Sequence, residues 1–216
     1  MPETRVTHLY LDSEGHANTS AGDGRLTFAK PERENCDGYA YDPENPSQHI
    51  IDMSENEIEV PEDYTREELR QDLLCYTSPV LKEDLVLTGD MTAELYISSD
   101  APDTDLWCVL PTWMTNGRSI KLADGLLSAR YRNGFARSEF LQEGEIVCLK
   151  IRTTKLSNCF RKGHRIRVTV TSSAKNFIFP NSNTREGFAS ARTVVAHNRV
   201  YHGGLHASRL TVRVEP

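Results

Sequence analysis

The sequence lacks most of what commits a chain to a membrane, a nucleic acid or a bound metal. No apolar run approaches the roughly 18 residues that a membrane-crossing helix requires. The opening MPETRVTHLYLDSEG has no basic start leading into an apolar stretch, so no signal peptide is expected. Cationic residues are outnumbered, 25 Lys and Arg against 31 Asp and Glu, which gives a net charge of -6. A mildly acidic chain has no global field to draw in nucleic acid or anionic lipid, and neither partner is expected. The five cysteines, Cys36, Cys75, Cys108, Cys148 and Cys159, are odd in number, widely spaced and without a C-x-x-C pair. That spacing excludes zinc ribbons and disulfide scaffolds. Cys75, Cys108 and Cys148 sit among apolar or β-prone neighbours, as small buried thiols do, and the expectation is a reduced, cytoplasmic protein.

Chemistry-bearing motifs are equally scarce. There is no G-x-S-x-G nucleophile elbow, P-loop, G-x-G-x-x-G or H-E-x-x-H. No catalytic, cofactor-binding or metal-ligating residue is therefore assigned, and no cofactor is expected.

Hydrophobic residues make up 38% and charged residues 26%, ordinary for a folded globular chain, and the length suits one domain over 1–216. The apolar pattern has a period near two. Strands are predicted over 6–11, 73–77, 85–87, 92–98, 106–115, 126–131, 146–153, 166–172, 193–197 and 208–214. Ile166, Val168 and Val170 alternate with Arg167, Thr169 and Thr171, which predicts one dry and one wet face. Turn-formers punctuate the runs, among them Asn116-Gly117, Asp124-Gly125, Asn133-Gly134 and Gly203-Gly204. Residues 62–74 (EDYTREELRQDLL) predict one short helical segment. Residues 37–61 predict a long irregular loop, of the kind that is functional or packs on a neighbour. Many short strands with turns between them give an all-β sandwich or barrel.

Several clusters admit two readings. His202 and His206, with His197 nearby, have metal-ligand spacing, but Gly203-Gly204 between them favours a hydrogen-bonded pair about a turn. Asp100, Asp103 and Asp105 resemble a calcium loop, yet lack its glycine and closing glutamate, and a β-turn is favoured. Trp107 and Trp113 share a strand parity and would form either a sugar-stacking platform or core. Pro111 between them cannot donate to a ladder, so that strand is expected at an edge or bulged. Asp124 and Arg130 would either orient a substrate carboxylate or stitch a turn to a strand.

A set of runs in fixed order carries a resemblance over nearly the whole chain: LYLDSEGHANTSAGDGRL, YAYDPENP, DLLCYTSPVLKEDLVLTGDMTAELYISSDAPDTDLW, DGLLSARYR, SNCFRKGHRIRVTVTSS, FPNSNT and VYHGGLHASRL. They resemble the C-terminal domain of the X-Pro dipeptidyl-peptidase and cocaine esterase-like (CocE/NonD) serine acyl hydrolases. The resemblance implies a galactose-binding-like β jelly roll that follows an α/β-hydrolase domain carrying the catalytic Ser, Asp and His. It implies packing on that domain, with loops that help wall its substrate pocket. No triad position exists in this chain. Tyr39, Tyr41, His49 and Ile50, in the 37–61 loop, are the expected contacts to the partner domain or its pocket. The chain departs from the family at 47–52, where SQHIID replaces a glycine pair. The alternatives are a stand-alone carbohydrate-binding module built on Trp107 and Trp113, and a homo-oligomerising element.

Overall fold

The computed structural model describes residues 3–50 and 61–216. Thirteen strands are formed among them: β1 (Arg5–Asp12), β2 (Arg25–Thr27), β3 (Asn35–Tyr41), β4 (Leu74–Thr77), β5 (Leu85–Gly89), β6 (Thr92–Ser99), β7 (Asp105–Trp113), β8 (Ser119–Ser128), β9 (Val147–Arg152), β10 (Leu156–Phe160), β11 (Arg165–Thr171), β12 (Ala196–His202) and β13 (Arg209–Val214). Pairing follows one path, β3-β12-β6-β13-β1-β2-β4-β11-β7-β8, with β9 along β6, and β5 joining β10 to β13. The path folds over into an all-β sandwich. Ala93, Leu95 and Ile97 of β6 and Leu210, Val212 and Val214 of β13 share one core with Ile166, Val168 and Val170 of β11 and Leu106 and Leu110 of β7.

The period-two expectation for β11 is half right. Its apolar face enters that core, but Arg167, Thr169 and Thr171 are buried as well. The cover is the predicted helical segment, which makes only one 3-10 turn, Glu67–Leu69, before β4. Ahead of that turn its backbone bonds to β8: Tyr64 N–H donates to the Ser119 carbonyl and Lys121 N–H to the Glu62 carbonyl, 2.8 and 3.0 Å. Glu68 is drawn inward to pair with Arg167, both 1% exposed. Burial raises the Glu68 carboxyl above its usual range, with Arg167 and Ser119 opposing that shift. The Arg167 guanidinium also lies 3.5 Å from the centre of the Trp113 ring.

Four further boundaries differ from the sequence reading. Residues 37–41 are strand, paired with β12 from Asp37↔Val200 to Tyr41↔Ala196, so the irregular connection begins at Asp42. The signal was weak because β3 buries Asp37 and two tyrosines instead of aliphatic residues. The predicted strand 126–131 is displaced: β8 covers 119–128, and Ala129–Tyr131 is a 3-10 turn. Asp124-Gly125 lies inside β8, not in a turn. Glycine is needed there because a Cβ would meet the Arg152 carbonyl oxygen of β9 at 2.4 Å. Finally, β2 and β10 were not anticipated, being short or polar in pattern. Pro111 marks a bulge: β7 is flanked by β11 and β8, and its register slips between Leu110 and Pro111.

Leu95 is 1% exposed in the shared core. Leu95→Ala is expected to lower unfolding free energy by about 2–5 kcal/mol in urea denaturation without changing the far-UV spectrum. A loss below about 1 kcal/mol would contradict a single close-packed interior.

Candidate functional site at the loop end

The registers send every long connection to the same end. β6, β8 and β11 finish there, while β4, β7, β9 and β12 begin there, as Val170↔Leu74, Asp105↔Ser128, Ile97↔Val147 and Tyr41↔Ala196 show. The connections 42–73, 129–146 and 172–195 therefore share one end, and the five-residue turn 114–118 lies at the other.

Arg130 braces this end. Its Nε donates to Asp103 Oδ2 at 2.7 Å and its backbone N–H to Asp103 Oδ1 at 2.9 Å. Its terminal nitrogens donate to the carbonyls of Arg185 and Thr184 at 3.0 and 2.8 Å. Gly187, at φ +64, leaves room for the guanidinium, whose nearest atom would stand 3.2 Å from a Cβ. One planar fork thus fastens three connections, which a lysine cannot do. Asn181 Nδ2 donates to both Asp103 and Asp105, 2.7 and 2.9 Å, and burial pushes the Asp105 carboxyl up against the opposing bonds of Ser128 and Asn181. Arg130 pairs with Asp103 and not with Asp124, which correctly leaves the stitching reading but changes its partner. The carboxylates at 100, 103 and 105 go separate ways, Asp100 joining His197 at 2.7 Å. His206 faces Glu34 at 3.1 Å. Among the described residues no three His, Cys, Asp or Glu side chains converge on a metal position.

A second, largely buried charged cluster joins β8 to His49 and Glu62. Lys121 Nζ is 2.9 Å from His49 Nε2, 3.0 Å from Glu62 Oε2 and 3.4 Å from Asp124 Oδ2. Trp107 Nε1 donates to Asp124 at 3.0 Å. The His49 ring stacks on Phe177, centroids 4.7 Å apart, and the Lys121 ammonium sits 5.8 Å from the Trp107 ring. Ile50 packs beside Tyr64, Trp107, Val109 and Ala174, and its N–H donates to the Tyr64 hydroxyl at 3.2 Å. The expected contact residues thus separate. His49 and Ile50 lie in this cluster, His49 at 3% exposure. Tyr39 and Tyr41 point into the core at 5% and 0%, so their rings are not available as contacts. The structure also closes the sugar-platform reading, since Trp107 is 1% exposed and Trp113 carries Arg167 on its face. Sequence reasoning missed Lys121 and Phe177. An isolated lysine and phenylalanine carry no local signal, since only the fold brings them to His49.

One constellation imitates a catalytic triad. Ser13 Oγ lies 2.9 Å from His202 Nε2, and Asp37 Oδ2 lies 3.2 Å from the same nitrogen. A triad needs the carboxylate on the far nitrogen and the serine open to substrate. Here Ser13 donates to Asp37 at 2.8 Å, Asp37 and His202 are 0% exposed, and His202 Nδ1 has no hydrogen-bond partner. The trio is structural. Burial pushes the Asp37 carboxyl up, but hydrogen bonds from His202, the Ala17 amide, Tyr76 and Ser13 outweigh it and hold the group below its usual value.

The described residues define an all-β sandwich domain. The sequence pattern of the X-Pro dipeptidyl-peptidase C-terminal non-catalytic domain matches residues 1–211, and the chain belongs to that family. It is 35% identical over 221 residues to cocaine esterase of Rhodococcus sp. strain MB1 Bresler, covering 99% of this chain but 38% of that protein. Its fold superposes on a crystal structure of an aminopeptidase from a marine sediment Thaumarchaeota archaeon (TM-score 0.87, 22% identity, 98% of this chain and 37% of that one). An α-amino acid ester hydrolase gives a TM-score of 0.86 at 21% identity, over 97% and 36%. The chain therefore spans less than two fifths of the relatives it matches.

Because the folded Asp37 is depressed, its contribution is present above the unfolded value near 3.9 and is lost as pH falls through the folded one. Asp37→Asn is expected to cost about 3 kcal/mol at pH 7, since several hydrogen bonds to a buried charge are weakened at once. Thermal melts from pH 7 to 2 check this. The variant's stability falls less steeply than the parent's below pH 4, and equal slopes would refute the role given to Asp37.

Proposed function

We propose that this chain is the accessory C-terminal domain of a larger α/β-hydrolase-type serine acyl hydrolase, acting on esters or on X-Pro peptides. The single observation that carries the reading is the family match over almost the whole chain. A domain of this kind supplies no nucleophile. It packs on the catalytic domain as a jelly roll, excludes water and lends loop residues to the pocket wall. Ile50, half-buried on the connection that follows β3, is the side chain best placed for that work, and the buried His49, bonded to Lys121, supports it. Five free cysteines support residence in a reducing compartment.

Two measurements test the reading. The purified chain is expected to leave p-nitrophenyl esters and Ala-Pro amides intact and to take no label from a fluorophosphonate. Labelling at Ser13 would overturn it. Conversely, cocaine esterase whose C-terminal 38% is replaced by this chain is expected to fold and hydrolyse p-nitrophenyl esters. An insoluble or inactive chimera would remove the support for an accessory role.

A further inference from the structure

Two Asn-Gly pairs, Asn116-Gly117 and Asn133-Gly134, are exposed at opposite ends of the sandwich. Asparagine before glycine is open to attack on its side-chain amide by the next main-chain nitrogen, because glycine has no Cβ to shield that nitrogen or restrict its approach. The two pairs share most of their surroundings. Both glycines have positive φ, +81 at Gly117 and +119 at Gly134, and a Cβ at either would meet nothing within 4 Å. Both N–H groups close a turn, Gly117 onto the Met114 carbonyl and Gly134 onto the Tyr131 carbonyl, each at 3.0 Å.

The asparagine side chains are held in opposite ways. Asn116 accepts: its Oδ1 takes a hydrogen bond from the Arg118 N–H at 3.2 Å, and no hydrogen bond among the described residues holds its Nδ2. Asn133 donates: its Nδ2 is fixed on the Glu139 carboxylate at 2.8 Å, and Arg137 anchors that carboxylate at 3.1 Å. The first arrangement draws electron density out of the amide and aims a donor at the oxygen where negative charge collects during attack. The second pushes density into the amide and ties down the nitrogen that has to leave. Nearby charge also favours Asn116. The 161–165 stretch, with Arg161, Lys162, His164 and Arg165, packs on its turn, a Cβ at Gly163 standing 3.3 Å from Thr115. The acidic groups there, Asp63 and Asp84, are each paired with an arginine, Arg118 and Arg161, at 2.8 Å.

We propose that Asn116-Gly117 is a self-modifying site, at which the chain converts its own side-chain amide to a carboxylate in the β7–β8 turn while Asn133-Gly134 stays intact. The Gly117 N–H gives its proton to hydroxide, and the nitrogen attacks Asn116 Cγ. The N–Cγ bond forms, the Cγ–Nδ2 bond breaks, and Nδ2 takes a proton from water and leaves as ammonia. Water then opens the five-membered succinimide. Cleavage of the new N–Cγ bond leaves aspartate at position 116. Cleavage of the bond from the nitrogen to the main-chain carbonyl carbon leaves isoaspartate, with one extra methylene in the backbone. Nothing is oxidised or reduced. The turn gains a negative charge two residues from Arg118, and the isoaspartate form lengthens a connection flanked by the Trp113↔Ser119 pair, whose side chains hold Arg167 and Glu68.

Peptide mapping by mass spectrometry of the full chain, incubated at mildly alkaline pH, tests the assignment. Conversion at Asn116 is expected to be about tenfold faster than at Asn133, the effect of about one pKa unit on the reacting amide. In urea, where the fold no longer distinguishes the two pairs, the rates are expected to converge. Asn116→Gln removes the fast release of ammonia, because the longer side chain has to close a six-membered ring. Glu139→Ala raises the Asn133 rate toward that of Asn116. Equal rates in the folded chain, or faster conversion at Asn133, overturn the proposal. A ratio that persists unchanged in urea overturns it as well, since the flanking sequence and not the fold would then set it. So does an Asn133 rate that Glu139→Ala leaves unchanged.

Discussion

The fold turns on one buried carboxylate. Asp37, on β3, accepts hydrogen bonds from Ser13 just beyond β1, from the Ala17 amide, from Tyr76 on β4 and from His202 at the end of β12. Those donors come from both layers and from the chain's N-terminal and C-terminal parts. A buried charge is tolerable only when its lone pairs are all met, so the position of Asp37 constrains where four separate segments can lie. The aliphatic core fills the space between the layers, but it is non-directional and would accept a shift of register more readily than this carboxylate does.

The same economy recurs twice elsewhere, once toward each end of β11 and β7. Arg167, stacked on Trp113 and paired with Glu68, turns the outer face of β11 into an inner one and holds residues 61–70 against the sheet. Arg130 joins Asp103 to the Thr184 and Arg185 carbonyls. In both places an arginine whose planar fork can serve several acceptors takes the role a helix or a longer strand would otherwise play in ordering a connection. The resulting end of the sandwich is rigid, aromatic at its surface and charged just beneath, while the opposite end is finished with short turns.

The imitation triad shows why residue identity does not establish function. Serine, histidine and aspartate lie within hydrogen-bonding distance, yet the carboxylate meets the wrong ring nitrogen and the whole group is shut away from water. Geometry and access, not composition, separate a catalytic site from a structural one.

Much of the architecture was legible in the residues. Alternation in β1, β6, β11 and β13 comes from side chains pointing to opposite faces of a strand, a local property that a linear pattern records directly. The family runs such as SNCFRKGHRIRVTVTSS record it too. Where the pattern misled, the cause was non-local. The polar face of β11 looked wet because the segment that covers it lies about a hundred residues earlier. Residues 62–70 looked helical because their partners on β8 are invisible to local propensity. Residues 37–41 looked irregular because their inward side chains are tyrosines and an aspartate. At the loop end, His49 and Ile50 were singled out from the sequence, whereas Lys121 and Phe177 were not. By itself the sequence determined an all-β domain of one family with no motif for chemistry of its own, since period, composition and motif order are properties of the chain. Only the tertiary structure decided which polar residues are buried and which aromatics stay outside, because hydrogen-bond partners and solvent access depend on segments brought together from across the whole chain.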